Sequence, residues 1–427
     1  MKNGLPKKLA YTVMMVAVSV LLAHIPVHGV NPMYLAYFMG QESIFSFMDS
    51  LSGGALSKMN MATFGVSSYI SASIMMQLIS VIIPRIDSIR RDGETGRRLY
   101  SKFEFFFAVF ITIVNSTLLA VGFGRKGLLA TYNLQSVLIA VASWVAGAVI
   151  ITTLVKGNET HGVGNGLGLL LMINILKKLT SQIETFFRAY SGQQRTIACC
   201  ILGASLILFF LVIIYLQEGM LKIPLIQSRK QAARSNSSGF LPIPVSTASV
   251  MPVIYTSSVL STPAMIMMIF GPKETVWTRR IIELTSSINW YMPTKWWHIV
   301  GLLLYVLLLF VFASFASTMN LNAVEIEQTL RKKSEVIPGV NPGQSTVTYL
   351  ERRREILSRV NVLFLMVLTM IPDFVMYHAG IRIFSYLGTS MMITASIIAD
   401  TSNRIRAEVI HKERKHKLFG GMVHEKA

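Results

Sequence analysis

The chain has 427 residues, 52% of them hydrophobic and only 14% charged, and carries a formal net charge of +19. An ordinary soluble protein is about 25% charged, so the composition excludes a soluble globular enzyme and points to a polytopic helical membrane protein. An outer-membrane barrel is excluded too, because it would show alternating strands of about 10 residues.

In chain order, apolar runs predict ten transmembrane helices, near residues 9–27, 63–83, 103–123, 134–155, 163–179, 196–216, 248–270, 297–319, 360–376 and 383–399. The first run follows Lys7 and Lys8 and ends at Ile25-Pro26 without a small-residue cleavage site, so it reads as a retained span. Residues 52–62, SGGALSKMNMA, form a weakly amphipathic piece too short and too polar to cross a bilayer. The span that follows is interrupted by Ser67, Ser68, Ser71, Ser73 and Gln77. A lipid-facing helix gains nothing from five polar side chains, so one face should meet protein or water.

With the N-terminus in the cytoplasm, the cytoplasmic segments hold 28 of the 40 Lys and Arg residues. This asymmetry predicts that both termini are cytoplasmic, and it accounts for the basic excess through the positive-inside rule, without nucleic acid. Two cytoplasmic loops exceed what a connection needs. Residues 217–247 hold Lys222, Arg229, Lys230 and Arg234, then a turn-rich SNSSG and two prolines. Residues 320–359 start with a helical NAVEIEQTLRKK, turn at IPGVNPG and resume as a helix over STVTYLERRREILSR, with Ser345 or Thr346 as the expected N-cap and Arg352, Arg353 and Arg354 on its surface. The choice is between solvated loops and a docking surface for a cytosolic partner; loops of this length with their own helices are more often functional. The external link 180–195 divides the spans five and five, as the hinge between inverted halves would, giving an N-terminal half 1–179, a C-terminal half 196–400 and a tail 401–427.

No motif supplies a catalytic centre. HGVGNGLG at residues 161–168 lacks the Lys-Ser/Thr ending of a phosphate cradle and reads as a tight cytoplasmic turn. There is no H-E-x-x-H or G-x-S-x-G, and the adjacent Cys199 and Cys200 lack metal-ligand spacing. Asp373 and Asp400 flank spans, and none lies deep within one, which argues against a pump or an ion-coupled transporter. Away from the span ends, the polar residues left inside spans are uncharged, among them Gln77, Asn115, Thr256, Ser257 and Ser258. Bonds between such groups contribute roughly 0.6–2 kcal/mol each, which suits an interface that opens and recloses, although ordinary helix-helix adhesion reads the same way.

Several stretches carry a resemblance. YISASIMMQLISVIIP followed by RRDGETGRR, VGNG opening the fifth span, KIP at residues 222–224, MPVIYTSSVLSTP at 251–263, IPGVNPG with the following T and YL, and GTSMMITASIIAD at 388–400 resemble, in the same order, segments of the SecY family of protein-conducting channels. The resemblance implies an all-α fold of ten transmembrane helices in two pseudo-symmetric halves around an hourglass pore, with a short plug helix near residues 52–62 and spans 2 and 7 as a side gate to lipid. It implies a pore ring of Val66, Ile70, Leu167, Leu171, Ile254 and Ile393, and makes Gln77, Asn115, Thr256, Ser257 and Ser258 the gate's polar residues. Val66/Ile70 and Leu167/Leu171 are each four residues apart and share a helix face; periodicity alone would leave them packed or lipid-facing.

The implied function is passage of unfolded secretory polypeptides across the plasma membrane, with no enzymatic activity and no cofactor or metal in the channel. A SecA-type motor ATPase would dock on the basic loops through Lys222, Arg229, Lys230, Arg234, Arg352, Arg353 and Arg354, and a SecE-type small subunit would clamp the halves. The chain departs from the family pattern at Asn341 in the IPGVNPG turn, at Ser67-Ser68 before Tyr69, at His161 and Gly168 around VGNG, and at Asn115. These departures resemble the accessory SecY of Gram-positive bacteria, which works with accessory Sec proteins and its own accessory SecA to export serine-rich glycosylated adhesins. The alternatives are a housekeeping SecY for general secretion and membrane insertion, a small-solute secondary transporter with a midplane pocket, and a lipid-modifying enzyme, for which no catalytic dyad is found.

Overall fold

The structure is a computed structural model that describes residues 5–31, 54–189, 219–227, 239–245, 251–270, 275–285, 287–290, 295–378 and 388–405, together with Asp49, Ser52 and scattered positions between 196 and 213. The chain separates into two compact units, one of Met1–Ser191, Ser261–Ser287 and Ile397–Ala427, the other of Gly192–Leu260 and Ile288–Ser396. Among the described residues, four helical stretches are long and apolar enough to cross a membrane: Gly93–Phe123, Leu134–His161, Trp296–Lys332 and Gln344–Val375.

The first unit is built from α1 (Leu5–Leu22), a one-turn α2 (Ala55–Lys58), α3 (Gly65–Ile82), α4 (Pro84–Arg91), α5 (Gly93–Phe123), α6 (Leu134–His161) and α7 (Gly166–Ala189). Pro84 has no backbone N–H to continue α3, and its fixed φ suits the first residue of α4. Helix α3 packs against α5, α6 and α7, and α1 against α6 and α7. The packing centres on Trp144, which is fully buried and meets Phe64 edge-to-face at 5.7 Å, with Leu56, Met59, Leu119, Phe123 and Leu128 around them. An edge-to-face pair adds about 0.5–1.5 kcal/mol beyond burial. Gly147 of α6 lets the chain at Met61 approach closely: a Cβ there would lie 2.0 Å from the Met61 carbonyl oxygen. Phe103, Phe106 and Phe110 of α5 point outward, as residues facing lipid do.

Two helices outrun their apolar runs. Helix α5 begins at Gly93, ten residues before the predicted span, and α7 runs to Ala189, through most of the predicted 180–195 link. The apolar run ends where lipid ends, whereas the helix continues on polar pairs one turn apart, here Glu94–Arg98 at 2.7 Å and Glu184–Arg188 at 2.5 Å. The turn expected at 161–168 is confined to residues 162–165, between α6 and α7, with Gly164 left-handed at φ +74° and packed close to Thr401.

In the second unit, β1 (Met220–Gln227), β2 (Gly239–Pro244) and β3 (Glu335–Val336) form an antiparallel sheet of order β2–β1–β3. The sheet precedes α8 (Met251–Phe270), whose residues to Leu260 belong to this unit, and lies close in sequence to α11 (Trp296–Asn320), α12 (Ala323–Lys332) and α13 (Gln344–His378); the short α9 (Val276–Thr285) and α10 (Ser287–Trp290) come between α8 and α11. Residues 388–405 are helical. The strands replace what the sequence presented as a turn-rich loop. Their alternation is regular, with Ile223 and Leu225 buried and Lys222, Pro224 and Ile226 exposed, but three prolines and the intervening SNSSG obscure it. Helix α13 starts at Gln344 and continues without a break into the ninth predicted span. Ser345 and Thr346 therefore lie inside the helix and do not cap it; the Thr346 hydroxyl donates to the Asn341 carbonyl at 3.0 Å.

Candidate functional site

All six aliphatic residues proposed from sequence for the pore ring are buried. In the first unit these are Val66 (4% exposed) and Ile70 (2%) on α3, and Leu167 (7%) and Leu171 (1%) on α7. In the second unit, Ile254 (3%) is on α8 and Ile393 (1%) is in the 388–405 helix. Burial removes them from the lipid-facing class to which Phe106 and Phe110 belong. Helices α3 and α7 touch, so the two i, i+4 pairs of the first unit sit on packed neighbours.

The polar residues of α3 mostly serve their own helix. Ser67 and Ser80 hydroxyls donate to the Phe64 and Met76 carbonyls at 3.4 and 2.7 Å, and the Gln77 amide donates to Ser73 at 3.2 Å; a carbonyl one turn back is always within reach. Ser68, 1% exposed, and Thr256, fully buried, have no hydrogen-bond partner for their hydroxyls among the described residues. Such an orphaned group costs about 1–3 kcal/mol, which makes its surroundings easier to open. Asn115 is half-buried, as are Ser257 and Ser258.

The bond that ties α3 to its neighbours involves residues not singled out from the sequence. The Tyr69 hydroxyl donates to Glu104 of α5 at 3.3 Å, and the Glu104 carboxylate lies 3.7 Å from the Lys156 ammonium of α6, with both charged side chains mostly buried. Lys156 also donates to the Ser101 carbonyl and lies 5.7 and 5.6 Å from the Tyr69 and Phe105 ring centroids. An acid at the start of one long apolar run and a base at the end of another were the available signal. In the second unit the buried Tyr305 hydroxyl donates to Thr369 at 3.3 Å, linking α11 to α13.

The short helix α2 is held at both ends. Asp49 is 2% exposed; one carboxylate oxygen accepts the Ser57 N–H at 2.8 Å and the other pairs with the Lys178 ammonium of α7. The Asp49 carbonyl accepts the Gly54 N–H, and the Ser52 hydroxyl accepts the Leu56 N–H at 3.1 Å. Beyond the helix, Asn60 donates to the Ala23 carbonyl and the Met61 N–H to Ile25 at 3.1 Å.

The two basic loops form one body. Ile226 and Gln227 of β1 pair with Val336 and Glu335 of β3, and Ile223, Leu225, Ile243, Leu321, Leu330 and Leu350 share one core. Lys222, Arg352 and Arg353 are exposed on it, and Arg354 is half-buried; Arg353 stacks on Tyr349 with 5.2 Å to the ring centroid. Arg229, Lys230 and Arg234 lie outside the described residues. Among the described residues, no cluster of three His, Cys, Asp or Glu side chains could hold a metal ion.

Comparison with known proteins agrees with this picture. The family described as SecY matches residues 61–402. Protein translocase subunit SecY of Pseudomonas aeruginosa is 28% identical over 395 residues, covering 91% of this chain and 87% of that protein. The Protein translocase subunit SecY of Staphylococcus epidermidis is also 28% identical, over 427 residues, covering 97% of this chain and 96% of that protein. Among solved structures, the one described as a protein conducting channel superposes with a TM-score of 0.70 at 17% identity, over 96% of this chain and 94% of that one. Sec61 in the canine ribosome-channel complex superposes with a TM-score of 0.65 at 16% identity, over 96% and 94%. The expected fold, ten transmembrane helices in two halves with a plug, is the fold of these channels.

Proposed function

This chain belongs to the SecY family of protein translocation channels, and from that premise we propose that it is the central subunit of an accessory export channel of the plasma membrane. A dedicated SecA-type motor drives it, and it passes serine-rich glycosylated adhesins in unfolded form. The observation that carries the channel reading is the family match over residues 61–402 together with the burial of all six aliphatic residues where that family keeps its constriction. Aliphatic side chains suit the task. A narrow apolar ring dewets and blocks ions, and it widens by rotamer changes without breaking hydrogen bonds, so an extended chain slides past with no specific contact to hold it. The driving energy comes from outside the channel, since the sequence offers no nucleotide cradle. Both termini and the sheet-bearing subdomain face the cytoplasm, where Lys222 and Arg352–Arg354 receive the motor; a SecE-type helix clamps the channel from within the bilayer, and residues 52–62 plug the resting conduit. The accessory reading is supported by Ser67-Ser68, Asn115, His161, Gly168 and Asn341, which depart from the family pattern at the gate and at the motor-facing turns.

The test is site-specific crosslinking. A secretory chain stalled in transit and bearing a photoprobe should label Ile70, Leu171, Ile254 and Ile393. Labelling of none of them, with normal labelling of a housekeeping channel in the same membranes, removes the ring assignment. Recovery of a housekeeping motor alone, after purification in mild detergent, removes the accessory assignment.

A further inference from the structure

The Asp49 carboxylate is almost completely out of solvent, yet it faces a charge on another helix rather than only the turn it caps. Its two oxygens have separate tasks, one accepting the Ser57 N–H at 2.8 Å and the other the Lys178 ammonium. Lys178 follows Leu171 by seven residues, which is two helical turns, so it stands on the same face of α7 as Leu171, farther along the helix. The segment is thus held to α7 by one mostly buried ion pair, beside the apolar packing of Leu56 and Met59 and the hydrogen bonds of Asn60 and Met61 to Ala23 and Ile25.

We propose that Asp49 and Lys178 are positioning residues of the translocation reaction: their ion pair latches the α2 segment to the pore-ring face of α7, and its strength sets how readily a signal sequence opens the channel. The inference rests on reading residues 52–62 as the plug. It predicts that the latch must break before the segment leaves. Removing one partner strands a buried charge, which is strongly unfavourable to the docked state, whereas replacing Lys178 by Arg keeps the charge and the bond.

The experiment uses the channel complex in proteoliposomes, read by resting ion conductance and by translocation of substrates with weakened signal sequences. Asp49→Asn retains an oxygen for the Ser57 N–H but loses the charge, so it separates the latch from simple capping; Lys178→Met removes the other partner without touching the cap. Both should raise resting conductance about tenfold or more, the factor that corresponds to about 1.4 kcal/mol of lost closed-state stability. Both should also admit weakened signals, with Lys178→Arg remaining like the parent. If deletion of residues 54–62 raises conductance while Asp49→Asn and Lys178→Met leave it unchanged, the latch is overturned and the plug reading stands. If the deletion also leaves conductance unchanged, the plug reading falls and the latch with it. A variant that loses cooperative thermal unfolding in detergent is replaced by Asp49→Glu with Lys178→Arg, whose conductance must match the parent if charge pairing is what matters.

Discussion

Glu104 and Lys156 hold α3 in a way its own residues do not reveal. Glu104 lies at the start of the apolar run of α5 and Lys156 at the end of that of α6, and together with Tyr69 they tie α3 to α5 and α6. Breaking a mostly buried pair by removing one partner costs about 3–5 kcal/mol, while replacing both with apolar groups is often nearly neutral. Glu104→Gln is therefore expected to lower the thermal midpoint of the purified channel, and Glu104→Gln combined with Lys156→Met to recover most of the loss. A double variant no more stable than the single one would show that the pair does not act as a unit. Tyr69 precedes Ile70 in the chain, so the same bond steadies a residue proposed for the pore ring; Ser68, on the other side of Tyr69, has a hydroxyl with no partner among the described residues. One flank of this short stretch is tied and the other is easily opened.

At the scale of elements, the two long basic loops depart most from the sequence expectation. The helices NAVEIEQTLRKK and YLERRREILSR are legible from periodicity and charge spacing, and the Gly164 turn from its glycines. The strands are not, because each is short, proline-containing and separated from its partner by a polar insertion. The pairing of β1 with β3 brings together residues about a hundred positions apart, and no local signal reports such a contact. The consequence is testable: Ile223→Asp places a charge in the shared core, so limited proteolysis should cut residues 217–247 and 320–343 together. Cleavage confined to the first loop would mean that the second folds without it.

At the scale of the whole molecule, the exposed Lys222, Arg352 and Arg353 belong to that one subdomain rather than to two independent loops. A cytosolic motor with an acidic face would meet them as one surface. Reversing Arg352, Arg353 and Arg354 to Glu should weaken motor binding at low salt and reduce its salt dependence, since exposed charges are screened over about 8–10 Å at physiological ionic strength. Binding unchanged at both low and high salt would remove these residues from the docking surface.

Composition and apolar runs alone determined that this is a polytopic helical membrane protein, and ordered motifs identified the channel family, because span length and positive-inside bias are set by the bilayer and act locally along the chain. The ends of α5 and α7 escaped that reading, since a helix continues on i, i+4 ion pairs after its apolar run stops. Tertiary structure alone decided which aliphatic residues are buried rather than lipid-facing, which acid meets which base, and that two distant loops share a core. Hydrophobicity is the same on either face of a span; only packing against a neighbouring helix distinguishes Ile70 from Phe106.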